Sequence, residues 1–267
     1  MGVAHDVVEV SMSGRINWEA EAGFGQAADA YERGRPGYPP EAVAVLTRAL
    51  RLRSGATVVD VGAGTGKLTR LLVPTGVNLV AVEPVAAMRE RLLATSPGIR
   101  TLDGTAQDLP MPDGSADAIV AGQAFHWFAD HDALAEFARV LRTDGRLGMV
   151  WNDRGHSALA EEITALLADH QGDTPSHRTG AWLRAFEAQS WFGPLRHGAV
   201  AHAHTLPLDA AVDRFGSISY VAAMPGAERA DLLARIRAVL AHVTARDGTV
   251  TLPYQTEVWW AQRRRGR

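Results

Sequence analysis

The segment Val58-Val59-Asp60-Val61-Gly62-Ala63-Gly64-Thr65-Gly66-Lys67 places a glycine at every second position directly after a β-branched apolar run. Glycine is needed where φ turns positive or where a ligand must approach the backbone with no Cβ in the way. Glu83 follows Gly62 by 21 positions, at the end of the next apolar run. A carboxylate there accepts both hydroxyl hydrogens of a ribose. Asp60 lies two positions before the first glycine. Its charge is poor company for a pyrophosphate, because like charges repel strongly in a partly dry site. It suits a ligand that carries an ammonium and a sulfonium.

Other readings of the same loop fit less well. The dinucleotide fingerprint G-x-G-x-x-G needs its third glycine one position beyond Gly66. The phosphate loop G-x-x-x-x-G-K-[ST] anchored at Gly62 fails, because four residues do not intervene between Gly62 and the Gly66-Lys67 pair. A turn that needs glycine for geometry alone leaves Asp60 and Glu83 unexplained.

A second group lies upstream. Tyr31, Arg35 and Tyr38 are spaced so as to gather around one pocket, and Pro36 drives the chain out of helix after Arg35. An arginine grips a carboxylate with paired hydrogen bonds. The bland alternative is a surface arginine with two packing tyrosines; the favoured one is a lid over a ligand.

A third group, His126 and Trp127, follows a later apolar run. Ligands of open parallel sheets bind at the carboxyl ends of strands, where Trp127 would wall a substrate site. Three roles are open to His126: a base for a substrate hydroxyl, a contact to ligand, or a packed histidine. Ser217-Ile218-Ser219-Tyr220 fits either a substrate pocket, with Tyr220 as a contact, or a helix cap. His202 and His204 share a strand face without a third ligand, so no metal site is expected. Trp18, Trp182 and Trp191 fit an apolar cavity or the core.

The elements that position these groups alternate. Apolar runs predict strands at 57–61, 78–83, 99–102, 116–121 and 146–151, with helices at 67–72, 85–95 and 131–141 between them. Thr143-Asp144-Gly145 is read as the turn into the fifth strand. This alternation predicts an α/β fold with a mainly parallel sheet covered on both faces. Later, 199–206 and 250–261 read as two strands added at one edge, one at least antiparallel, with helical insertions at about 155–195 and 208–246. Residues 1–50 read as a helical lid segment before one domain spanning 51–267.

Composition excludes several classes. The 267 residues include no cysteine, which removes disulfide scaffolds, zinc–thiolate sites, iron–sulfur clusters and a cysteine nucleophile. A formal charge of −3, from 27 basic and 30 acidic residues, speaks against a nucleic-acid partner. No run approaches the roughly 18 apolar residues of a membrane span, and no signal peptide is evident at Met1 to Ser13, so a cytoplasmic location is expected. Arg263-Arg264-Arg265 reads as a solvated tail. Composition leaves the oligomeric state open.

Asp60 to Gly66 with Glu83 resembles the binding signature of class I S-adenosylmethionine-dependent methyltransferases. The resemblance extends through Asp103-Gly104-Thr105-Ala106-Gln107-Asp108 and Asp113-Gly114-Ser115. Phe24 to Pro39, Ala124-Phe125-His126-Trp127-Phe128 and Leu252-Pro253-Tyr254 are similar to a narrower small-molecule subgroup, the type 11-like and trans-aconitate-methyltransferase-like enzymes. It implies a Rossmann-like, doubly wound sheet of seven strands and S-adenosyl-L-methionine as cofactor. Gly62, Ala63, Gly64, Asp60 and Gln123 would meet its methionine part, helped by Tyr31 and Arg35. Glu83 would hold the ribose; Pro84, Met88, Ala106 and Gln107 would surround the adenine, with Asp108 as an alternative to Gln107. Trp127, Tyr220 and Tyr38 would meet a small-molecule acceptor, and His126 is the candidate catalytic residue. Cytosine C5 methylation needs a cysteine that is missing, and Gly122-Gln123-Ala124-Phe125 is not the motif of nucleic-acid amino-methylation. A non-catalytic cofactor-binding protein and a nicotinamide-dependent oxidoreductase stand as alternatives.

Overall fold

A computed structural model describes residues 35–265 apart from His156 and Ala188. Tyr31, Trp18 and most of the expected lid segment therefore lie outside the described residues. The described chain begins with helix α1 (Pro40–Leu50), followed by β1 (Thr57–Val61), α2 (Lys67–Leu72), β2 (Asn78–Val82), α3 (Ala86–Thr95), β3 (Arg100–Leu102) and β4 (Ala116–Gly122). Then come α4 (His131–Val140), β5 (Leu141–Asp153), α5 (Ala158–Gln171), α6 (Arg184–Glu187), β6 (Arg196–Pro207), α7 (Leu208–Gly216), α8 (Ser219–Ala222), α9 (Gly226–Ala241) and β7 (Thr249–Gln262).

The seven strands form one sheet in the order β3-β2-β1-β4-β5-β7-β6. β1 to β5 are mutually parallel, while β7 runs antiparallel to both β5 and β6. The strand order reverses between β1 and β4, the place where such sheets open a crevice beyond their carboxyl ends. Alternation along the strands explains the double covering. Val59, Val61, Ile119, Ala121, Leu147, Met149 and Trp151 pack with Leu134, Phe137 and Ala138 of α4. Their neighbours Val58, Ala118, Val120, Val150 and Val258 pack with Leu46 and Leu50 of α1 and Leu68 and Leu72 of α2.

The fifth strand differs from expectation. It begins at Leu141, and Asp144, at φ 67°, forms a bulge within it: Ala116 pairs with Leu141, and Ala118 already pairs with Arg146. The turn residues bend the strand without ending it. The tail is exposed as read, but it also bonds the sheet. Arg263 donates to the Leu141 carbonyl, Arg264 to that of Phe192, and Arg265 pairs with the Asp144 carboxylate at 2.7 Å. Arg263 and Arg264 satisfy open carbonyls at the end of the sheet, while Arg264 and Arg265 remain exposed to solvent.

The insertions build a second apolar cluster. Ile163 and Leu167 of α5, Phe215 of α7 and Leu232, Ile236 and Leu240 of α9 pack with Leu206, Val250, Leu252 and Tyr254. These strand residues lie where β6 and β7 pair only with each other, since the β5–β7 ladder ends at Asp153 opposite Gln255. The cluster thus stands on a two-stranded extension beside the carboxyl ends of the parallel strands. Among the described residues no helix is long and apolar enough to cross a membrane, and no group of three or more potential metal ligands occurs.

Candidate active site

Register places Asp60 of β1 level with Ala81 of β2 and Val120 of β4, and Gly122 level with Val150 of β5. Asp60, Glu83, Gln123 and Asn152 therefore come to one edge of the sheet. A small cavity of about 40 Å³ opens there, lined by Arg35, Tyr38, Asp60, Gly62, Ala63, Gly64, Lys67 and Gln123 among others. Arg214 of α7, unforeseen in the sequence, shares that lining.

Gly64 holds φ at 57° and the direction of its missing Cβ is open space, so the loop presents bare backbone to the crevice. At Gly122 the constraint is a close approach: a Cβ would stand 2.7 Å from the Tyr38 hydroxyl. Asp60 is 1% exposed; one carboxylate oxygen accepts a 2.6 Å bond from the Thr69 hydroxyl, and the buried Oδ1 has no partner. Burial pushes its pKa up to about 7, the Thr69 bond opposing and the nearby Glu83 charge adding to the rise. A buried carboxylate oxygen with nothing to accept from is the complement of a cationic donor.

The Glu83 carboxylate accepts from the backbone N–H groups of Gly64, at 2.8 Å, and Val85, at 3.0 Å. Each oxygen keeps a lone pair beyond these bonds. Burial also holds its pKa above the ordinary value, against those two bonds. The residues expected around an adenine form no part of either cavity. Met88 and Ala106 are buried, and Gln107 donates to Asp130, the residue that caps α4. Asp108 is exposed.

The segment before α1 is pinned from two sides. Asn152 donates to the carbonyls of Pro36 and Gly37, while its own oxygen accepts from Thr256, its partner across the β5–β7 ladder. Lys67 donates to the Arg35 carbonyl at 3.0 Å. Arg35 and Tyr38 are thereby set over the glycine loop. Tyr38, expected at the acceptor, belongs to this first cavity and not to the next.

A second cavity of about 110 Å³ adjoins it, sharing Arg35, Gln123 and Arg214. His126, Trp127 and Tyr220, all expected near an acceptor, line it. Gln123 holds φ at 58°, costly for a residue with a side chain, and its amide donates to the Asn152 carbonyl. Ser217 instead bonds the Arg214 carbonyl, a capping role. Trp182 is core, packed edge-on against Phe125 and tilted against Trp151, and Trp191 lies against His131. His202 stacks on Tyr254 away from any cluster of ligands.

The second cavity is strongly basic. Arg35, Arg154, Arg178 and Arg214 line it, with Asp153 as the one carboxylate among the described lining residues. Asp153 is already paired with Arg178 at 2.6 Å. Arg214 is 4% exposed, and its Nε and Nη1 have no hydrogen-bond partner. Burial and the charges of Arg214 and Arg178 lower the pKa of Arg154 to about 10. Composition hid this cluster, because the four arginines are scattered between positions 35 and 214.

Residues 59–149 match the family model described as a methyltransferase domain. An uncharacterized methyltransferase of Mycobacterium tuberculosis is 38% identical over 235 residues, 87% of this chain and 92% of that protein. An uncharacterized methyltransferase-like protein of Schizosaccharomyces pombe is 29% identical over 230 residues, 85% of this chain and 90% of the other. Among solved structures, a candidate type II methyltransferase of Anaeromyxobacter dehalogenans superposes with a TM-score of 0.65 at 24% identity, covering 86% of this chain and 96% of that one. Phosphoethanolamine N-methyltransferase 2 of Haemonchus contortus, solved with S-adenosyl-L-methionine, shares the fold with a TM-score of 0.55 at 13% identity, over 94% of this chain and 61% of its own.

Proposed function

This chain belongs to the class I S-adenosylmethionine-dependent methyltransferases, and from that premise we propose that it methylates a small acceptor bearing negative charge. The cofactor supplies a methyl group on a cationic sulfur, open to in-line displacement. Asp60 accepts from the cofactor ammonium through its unpartnered oxygen, and Gly62, Ala63 and Gly64 bring the backbone against the methionine part. Arg35 holds the cofactor carboxylate. The free lone pairs of Glu83 take the ribose hydroxyls, and Pro84, Met88, Ala106 and Gln107 border the adenine. Gln123 stands between the two cavities. The segment ahead of α1 acts as the lid, held at its described end by Asn152 and Lys67, whereas α1 itself is packed into the core.

The observation that carries the acceptor class is Arg214: a buried guanidinium with two unpartnered nitrogens, beside Arg154 and Arg178, in a cavity whose one carboxylate among the described lining residues is already engaged. Uncompensated buried charge is costly, and an anionic ligand removes that cost on binding. Trp127 and Tyr220 supply the apolar walls. Transfer then depends on aligning the acceptor atom with the methyl group and on excluding water.

The test is release of S-adenosylhomocysteine by purified enzyme with matched panels of organic acids, phosphate esters, neutral phenols and amines. Turnover confined to the anionic panels supports the reading. Turnover confined to neutral or cationic acceptors contradicts it.

A further inference from the structure

His126 was open to service as a base, and the hydrogen bond made by its ring decides against that. The indole of Trp151, fully buried on β5, donates from Nε1 to His126 Nδ1 at 3.1 Å. An indole has a donor and no acceptor, so Nδ1 must offer a lone pair. A neutral imidazole with Nδ1 bare carries its proton on Nε2. A protonated ring would set two donors against each other.

The surroundings act in the same direction. Burial, with the charges of His177 and Arg35, holds the His126 pKa down at about 3. The indole itself is clamped: the His177 ring stacks on it at 5.8 Å and 13°. His126 also lies against Trp127 at 5.3 Å and against His177 at 6.0 Å. The other charged groups facing this cavity are Arg154, Arg178, Arg214 and Asp153, and Asp153 lies 3.7 Å from His177 Nε2.

We propose that Trp151 is a positioning residue which fixes His126 as a neutral Nε2–H donor on the wall of the acceptor cavity, so that methyl transfer here proceeds without a base at His126. This rests on the acceptor reading above. The acceptor atom arrives with a free lone pair; that pair forms the bond to the methyl carbon, the C–S pair stays with sulfur, and no proton is released to His126. His126 donates to an acceptor oxygen and orients it.

Long-range proton–nitrogen NMR of the histidine-labelled protein tests this without any acceptor. In the native protein His126 shows protonated Nε2 and bare Nδ1, unchanged between about pH 5 and pH 8, the range in which an ordinary histidine titrates. In Trp151→Phe, checked for folding by circular dichroism, the ring becomes a mixture of tautomers and its titration moves upward. Acceptor KM rises about tenfold in that variant, the loss of one fixed donor, while cofactor KM stays unchanged. A native Nδ1–H tautomer, or a native ring that titrates within that range, overturns the proposal. Failure of the acceptor panels with the native tautomer as stated would overturn the acceptor reading and leave the Trp151–His126 pairing intact.

Discussion

Asn152 holds Gly37 by a 3.0 Å hydrogen bond from its side-chain amide to the Gly37 carbonyl, tying the sheet's fifth strand to the segment that carries Arg35 and Tyr38. The same side chain donates to the Pro36 carbonyl and accepts a 2.6 Å bond from Thr256, so it joins β7 and the entry segment to β5. Asn152→Ala leaves the buried Thr256 hydroxyl only its 3.3 Å bond with His202 Nδ1 and frees the Pro36–Gly37 backbone. The expected loss is about 1–3 kcal/mol of folding stability, read by chemical denaturation, with a raised cofactor KM. An unchanged cofactor KM would separate this anchor from the site.

Asp60 gives a pH signature. Its folded pKa of about 7 lies above the ordinary 3.8, so between about pH 4 and pH 7 the folded protein keeps a proton that the unfolded chain has released. Stability from this group is full below about pH 4 and is lost as the pH rises through 7. Asp60→Asn removes that slope. Melting temperature followed against pH in both proteins should converge at low pH and separate toward pH 7, with the variant the more stable there.

Cofactor binding reverses the preference, since an ammonium beside Oδ1 favours the ionised carboxylate. Native affinity should therefore rise from about pH 5 to pH 7 with release of a proton, seen by calorimetry in buffers of different ionisation enthalpy. Asp60→Asn should bind more weakly and without that release.

Arg214 has no carboxylate partner among the described residues, so Arg214→Met removes a buried charge rather than breaking an ion pair. The melting temperature should hold or rise. Acceptor KM should increase by roughly 10- to 100-fold, the equivalent of about 1.5–3 kcal/mol for a charged hydrogen bond. A lower melting temperature with unchanged KM would make Arg214 a structural residue.

Glu83 is expected to dominate the nucleoside end. Glu83→Ala removes the acceptor for Gly64 N–H and Val85 N–H as well as for the ribose. Cofactor affinity should fall by about 1–3 kcal/mol, measured as a dissociation constant by calorimetry.

Much of this was legible in the residues. The β-branched run ending at Val61 and the glycines after it were found as read, with β1 and α2 at the expected bounds. Such signals are local: strand propensity, positive φ and periodic apolar faces act within a few residues. The basic cavity was not legible, because Arg35, Arg154, Arg178 and Arg214 meet only through the folded insertions. Nor was the Trp151–His126 bond, which joins β5 to the short turn after β4 across 25 residues. The bonds of the tail were illegible for the same reason: Arg264 and Arg265 are exposed as read, but the Leu141 and Phe192 carbonyls and the Asp144 carboxylate reached by Arg263 to Arg265 come together only in the fold.

The most direct measurement is isothermal titration of the purified protein with S-adenosylhomocysteine and, separately, with NAD. One site per chain is expected for S-adenosylhomocysteine and no binding of NAD; binding of NAD with no response to S-adenosylhomocysteine would contradict the assignment of Asp60, Glu83 and the glycine loop to this cofactor.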